Sequence, residues 1–140
     1  MVLERLAYVS CSTRPAEALI GVSDIVEQSV RNNRANNITG ALAFTSSRFA
    51  QVLEGSHGSL DVLVLKLAMD TRHCDMVIVD RVPIQHRRFA DWAMIAPRFT
   101  PHGQVRLVAI IDDRTPSMTD LTELLFELVG EQKAESGPHV

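Results

Sequence analysis

Gly40-Ala41-Leu42-Ala43-Phe44-Thr45-Ser46-Ser47-Arg48-Phe49-Ala50-Gln51-Val52-Leu53-Glu54-Gly55 reads as two strands joined by a tight turn. Gly40 to Thr45 is the second strand of the chain, Ser46-Ser47 the turn and Arg48 to Glu54 the third strand. Upstream, Leu3 to Ser10 is short and apolar and runs into the breakers Ser12-Thr13-Arg14-Pro15, which predicts a first strand. Between first strand and hairpin, Ile25, Ser29, Asn32 and Asn33 fall at helical spacing beside Val22, Val26 and Val30. Ser23 or Asp24 is the expected cap of that helix, and Asn36-Asn37 its end.

Downstream, Gly55 to Ser59 breaks the chain and Ser59 is the expected cap of a second helix running to about Asp70. Leu60, Leu63, Val64 and Leu67 share one face of it, overlapped by Lys66 and Asp70. Met76 to Val79 reads as a buried strand ended by Pro83, and Trp92 to Ala96 as a last short strand closed by Pro97. The order β-α-β-β-α-β-β predicts an α+β, ferredoxin-like sheet with two helices on one face and the other face in need of cover. The tail supplies it. Ser117 or Thr119 caps a helix in which Leu121, Leu124, Leu125, Leu128 and Val129 form one stripe, with Gly130 as the expected stop. Residues 104–112 are apolar at Val105, Leu107, Val108, Ile110 and Ile111 and favour helix over strand, and Glu135 to Val140 reads as a loose end. The leucine stripe suits either sheet cover or the seam of a homodimer. The expected units are 1–97 and a helical extension, 98–140.

Composition narrows the function. The chain has 140 residues, 22% of them charged, with a formal charge of −3 and no basic run, so nucleic acid is a poor partner. Two cysteines, Cys11 and Cys74, are too few for a disulfide scaffold and lack the spacing of a zinc site, so no metal is expected. No segment reaches the ~20 apolar residues a membrane helix needs. The start, Met1-Val2-Leu3-Glu4-Arg5, carries charge where a signal peptide needs apolar residues, which points to the cytoplasm. Catalytic signatures are missing: no Gly-rich phosphate loop, no H-E-x-x-H, no nucleophile elbow, and five scattered histidines.

Polar residues set in apolar faces say more. Tyr8, the single tyrosine, sits in the first strand, and Gln51 stands between Phe49 and Leu53 where alternation asks for an apolar side chain. A buried amide must find partners for its carbonyl and its NH₂ or costs about 1–3 kcal/mol. Two neighbouring helices each carry an apolar stripe that ends in polar groups: Asn32 and Asn33 on one, Asp70, Arg72 and His73 on the other. A flat ligand with an apolar ring and a polar edge fits between such helices. Each residue also has a structural reading: a core tyrosine, an edge glutamine in water, asparagines that merely end a helix, a solvated helix end. Ligand binding, a small acyl-transfer enzyme and a plain interaction module all remain open on the residues alone.

Together these motifs resemble the BLUF family, blue-light sensors using flavin adenine dinucleotide, over about Leu3 to Ala96. Leu6-Ala7-Tyr8-Val9-Ser10 resembles its first strand, Asn32-Asn33-x-x-x-x-Ile38-Thr39-Gly40 its flavin-edge signature, and Phe49 to Gly55 the segment with its switching glutamine. Asp70-x-Arg72-His73 and Arg88-Phe89-x-x-Trp92-x-Met94 are similar to its second-helix and last-strand motifs. The resemblance implies FAD held between the helices, with Ile25, Leu63 and Leu67 against the ring. Tyr8, Ser29, Asn32, Asn33, Gln51, Lys66, Asp70, Arg72 and His73 would stand around it. It further implies electron and proton transfer from Tyr8 through Gln51, after which the amide donates a new bond to the flavin and absorption shifts to the red. Trp92 and Met94 would relay the change to an unidentified downstream protein, without enzymatic turnover.

Overall fold

The computed structural model describes residues 2–13, 19–45, 47–96, 100–113 and 116–136, with backbone alone for 19–25 and 131–136. The side chain of Ile25, the breakers Arg14-Pro15, Ser46, Pro97 and the end 137–140 lie outside the described residues. Among the described residues, four strands and four helices follow in the order β1 (Leu3–Ser12), α1 (Leu19–Ala35), β2 (Thr39–Phe44), β3 (Arg48–Ser56), α2 (His57–Ala68), β4 (His73–Ile84), α3 (Pro101–Ile111), α4 (Met118–Ser136). The sheet has the order β2-β3-β1-β4, with antiparallel pairing throughout. This is the split βαβ plan expected: β3 is inserted between β1 and β2, which run parallel.

Period-two alternation sorts the sheet into two cores. Leu6, Tyr8, Leu42, Phe49 and Leu53 pack under α1 and α2 with Leu60 and Leu63. Ala7, Val9, Ala41, Ala43, Ala50 and Val52 face the other way, against Leu107 and Ile111 of α3 and Leu121, Leu124, Leu125 and Leu128 of α4. Four alanines on this second face leave room for α4 to lie close to the sheet. Residues 104–112 are therefore mostly helix, and Val105 and Val108 are exposed on its outer side.

Several boundaries differ from expectation, each for a local reason. Ser56, not Ser59, caps α2: its hydroxyl accepts from the Ser59 N–H at 3.3 Å. Ser23 and Asp24 lie inside α1, and Asn37, with φ 55°, ends the turn after it. Ser117 caps α4, taking the Asp120 N–H at 3.1 Å, but Gly130 does not stop that helix, which runs on to Ser136. A single glycine costs only about 1 kcal/mol in a helix already anchored by packing. β4 is longer than expected and carries Pro83 within it. As the sheet edge, β4 tolerates a residue without an N–H. The expected last strand at Trp92 to Ala96 reduces to one parallel bridge, Ala41 to Ile95, flanked by bonds from the Gly40 and Leu42 N–H groups to the Trp92 and Ile95 carbonyls. Gly40 permits the tight packing of β2 at this point: a Cβ there would stand 2.2 Å from the Val52 carbonyl oxygen.

Candidate functional site

Between α1 and α2 opens a cleft of about 720 Å³, within the usual range for small-molecule sites. Ser29, Asn32 and Asn33 line it from α1, Leu63, Lys66 and Leu67 from α2, and Asp70 and Arg72 from the turn beyond. Gln51 lies at its floor. A smaller cavity of about 40 Å³ shares Ser29, Gln51, Leu67, Asp70 and Arg72 with it and reaches Tyr8, Leu42, Phe49 and His73. The fold thus brings together every polar residue expected at the site.

Gln51 is 4% exposed and Tyr8 3%, so the amide is buried and the edge reading is excluded. They stand opposite one another across the β1–β3 ladder, and the Tyr8 hydroxyl donates to Gln51 Oε1 at 2.5 Å. The Gln51 NH₂ faces the Met94 sulfur, Nε2 to Sδ 3.4 Å. A thioether is a weak acceptor, so this half of the amide has the poorer partner. Burial, and next the Asp70 charge, raise the Tyr8 phenol well above its ordinary pKa, with Arg72 opposing. The phenol therefore keeps its proton at any neutral pH.

The polar rim is an ordered chain. Lys66 Nζ donates to Asn32 Oδ1 at 3.2 Å, Asn32 Nδ2 to Asn33 Oδ1 at 3.3 Å, and Asn33 Nδ2 to the Ala93 carbonyl at 2.7 Å. The asparagines thus do more than end a helix: they join α1 and α2 to the segment that holds Met94. At the other end, Arg72 grips Asp70 through Nε and Nη2 and holds its carboxyl below the usual carboxylate range. His73 Nε2 faces the Leu67 carbonyl at 2.5 Å, which must accept, so in the neutral ring Nδ1 accepts from the Ser10 hydroxyl at 2.8 Å. The His73 ring lies 5.9 Å from that of Tyr8.

Two features were not anticipated from sequence. Trp92 and Met94 belong to opposite sides of the sheet: Met94 is buried beside Gln51, whereas Trp92 packs with the α3–α4 core. Glu54, wholly buried, pairs with Arg5 and accepts the Arg88 and Phe89 N–H groups at 2.9 and 2.8 Å, so it fastens the segment leading to Trp92 and Met94. Its place in β3, facing away from Gln51, was readable; its partners, 49 residues back and 34 and 35 residues on, were not.

The donor set suits a flat heterocycle: apolar leucines for a ring, amides and a lysine for its polar edge, and a buried glutamine beneath. A family model for sensors of blue-light using FAD matches residues 3–95. The chain belongs to this family, BLUF, whose domains are flavin-binding sensor modules. It is 39% identical over 93 residues to photoactivated adenylate cyclase subunit beta of Euglena longa and 38% identical over 82 residues to subunit alpha of Euglena gracilis. Those matches cover 66% and 59% of this chain but only 11% and 8% of the relatives. Among solved structures, the dark state of BlrB, a BLUF protein, superposes with a TM-score of 0.75 at 26% identity, covering 90% of this chain and 96% of that one. BlrP1 of Klebsiella pneumoniae, in a complex with manganese and cyclic diGMP, gives 0.65 at 27% identity, covering 96% of this chain and 33% of that one. No described helix is long and apolar enough to cross a membrane.

Proposed function

We propose that this chain is a blue-light receptor that holds FAD in the α1–α2 cleft and signals through protein contacts, with no turnover of its own. The observation that carries the reading is Gln51, which bridges Tyr8 and Met94 at the floor of the cleft. When bound, the flavin supplies the blue absorption and, once excited, a strong one-electron oxidant. Leu63, Leu67 and Ile25 would hold its ring, and Ser29, Asn32, Asn33, Lys66, Asp70, Arg72 and His73 its polar edge and the wall beyond.

The residues of the chain do the rest. Tyr8 would be the electron donor, and because burial keeps the phenol protonated, its proton would move with the electron along the hydrogen bond to Gln51 Oε1. Return of both would leave the amide in a second arrangement, rotated or tautomerised, in which the weak contact to Met94 is exchanged for a better one. One or two exchanged neutral hydrogen bonds are worth about 1–3 kcal/mol, so the output element must be nearly balanced beforehand. The segment 88–95 suits that part, held by Glu54 and Asn33 and touching Gln51 through Met94. On this reading 1–97 is the sensory unit, 98–140 carries the response to a second protein or a second copy, and the compartment is the cytoplasm.

Purified chain supplied with FAD should be yellow and show a small, reversible red shift under blue light. Gln51→Leu and Tyr8→Phe should keep the flavin and lose that shift. A colourless protein, or a Gln51→Leu variant that cycles as the parent does, overturns the proposal.

A further inference from the structure

Away from the cleft, near one end of the β1–β4 ladder, Cys11 and Cys74 are direct antiparallel partners. Such partners have Cα atoms about 4.5–5.5 Å apart, inside the roughly 4.4–6.8 Å that a disulfide spans. Both are free thiols, and their sulfurs and the Asp75 carboxylate all lie within 4.8 Å of one another. Cys74 is exposed on the edge strand, and Cys11 is half-buried behind it. The ladder is irregular here: its register shifts between Val9 and Cys11, and Asp75 takes a left-handed φ of 53°. A bulge at a sheet edge bends the strand locally, which lets the opposed thiols adjust without moving the core. Two thiols and one exposed carboxylate are a donor short of a closed structural zinc site, so covalent pairing of the sulfurs fits better than a metal.

We propose that Cys11 and Cys74 form a reversible dithiol–disulfide site that reacts with small-molecule disulfides, independently of light. The accessible Cys74, as thiolate, attacks one sulfur of the reagent and displaces a first reagent thiol. Cys11 then attacks the Cys74 sulfur of that mixed disulfide, the Cys11–Cys74 bond forms, and the second reagent thiol leaves. Two protein thiols are oxidised, one reagent disulfide is reduced, and both thiol protons end on the departing thiols. Partial desolvation, the neighbouring Asp75 carboxylate and the second thiol raise the Cys74 pKa, so little thiolate is present at neutral pH and the exchange runs faster as pH rises. The bridge would clamp β1 to β4 next to Ser10 and His73, whose mutual hydrogen bond holds the His73 ring that lines the smaller cavity.

The test is to treat the full chain in the dark with excess oxidised glutathione, then alkylate. The expected result is loss of both alkylatable thiols in a monomer lighter by two hydrogen atoms, with no retained glutathione, reversed by dithiothreitol. Cys11→Ser should instead stop at a stable glutathione adduct on Cys74. The proposal is overturned if the parent chain keeps that adduct, if both thiols stay alkylatable, if the bridge forms only between two chains, or if the thiols are protected by zinc alone.

Discussion

Asp70 and Arg72 are two residues apart and meet as a side-chain pair at the mouth of the cleft. Because Arg72 lowers the Asp70 pKa in the folded state, the pair's contribution is complete above the ordinary carboxylate value and lost as pH falls through the depressed one. This part of the fold's stability should thus be flat through neutral pH and fall on acidification below about pH 4. Asp70→Asn should remove that part of the acid dependence, read by equilibrium unfolding against pH. At this scale the sequence was informative wherever a side chain broke a pattern. Gln51 interrupts an apolar face, and a polar residue there has to be either buried with partners or turned to water. Which of the two holds depends on neighbours from β1 and from residue 94, and those are tertiary facts. Asn33 is the sharper case, because its acceptor is a backbone carbonyl sixty residues away that no pattern marks.

The segment from Arg88 to Ala96 ends in the stretch Trp92 to Ala96 that the sequence pattern predicts as a strand. It is held instead by side chains: Glu54 takes two of its N–H groups, Asn33 donates to its Ala93 carbonyl, and one bridge joins it to β2. Glu54→Gln would set an NH₂ against groups that donate and leave Arg5 without its carboxylate. Breaking a buried ion pair of this kind costs about 3–5 kcal/mol. Urea unfolding should show that loss, and native Trp92 emission should shift as its segment loosens. Helix ends were misplaced by a few residues for a simpler reason. Ser56 and Ser59 are equally good caps in a string of letters, and the end of β3 in the sheet decides which one the chain uses.

For the whole molecule, the tail helices complete the core. Leu121, Leu124 and Leu125 are at most 1% exposed, against the alanine-rich sheet face. Leu125→Ala should therefore cost about 2–5 kcal/mol in equilibrium unfolding of the full chain, as a deletion at a closed core site does. A change below about 1 kcal/mol would mean that α4 contributes little to that core. The leucine stripe that suited sheet cover or a dimer seam is occupied by the sheet. The exposed apolar residues near it, Val105 and Val108, come from α3.

Alternation, helical periodicity and turn residues determined the order of elements through β4, the two-faced sheet and the polar residues that break its apolar faces, because these signals act over a few neighbours and survive in one dimension. Tertiary structure alone decided the rest: that Gln51 is shared between Tyr8 and Met94, that Trp92 turns to the opposite face, that Glu54 fastens a distant segment, and that two cysteines sixty-three positions apart are cross-strand partners. Each depends on register or on loop closure across the chain, where the choice of partner is set by packing of the whole and leaves no mark on adjacent residues.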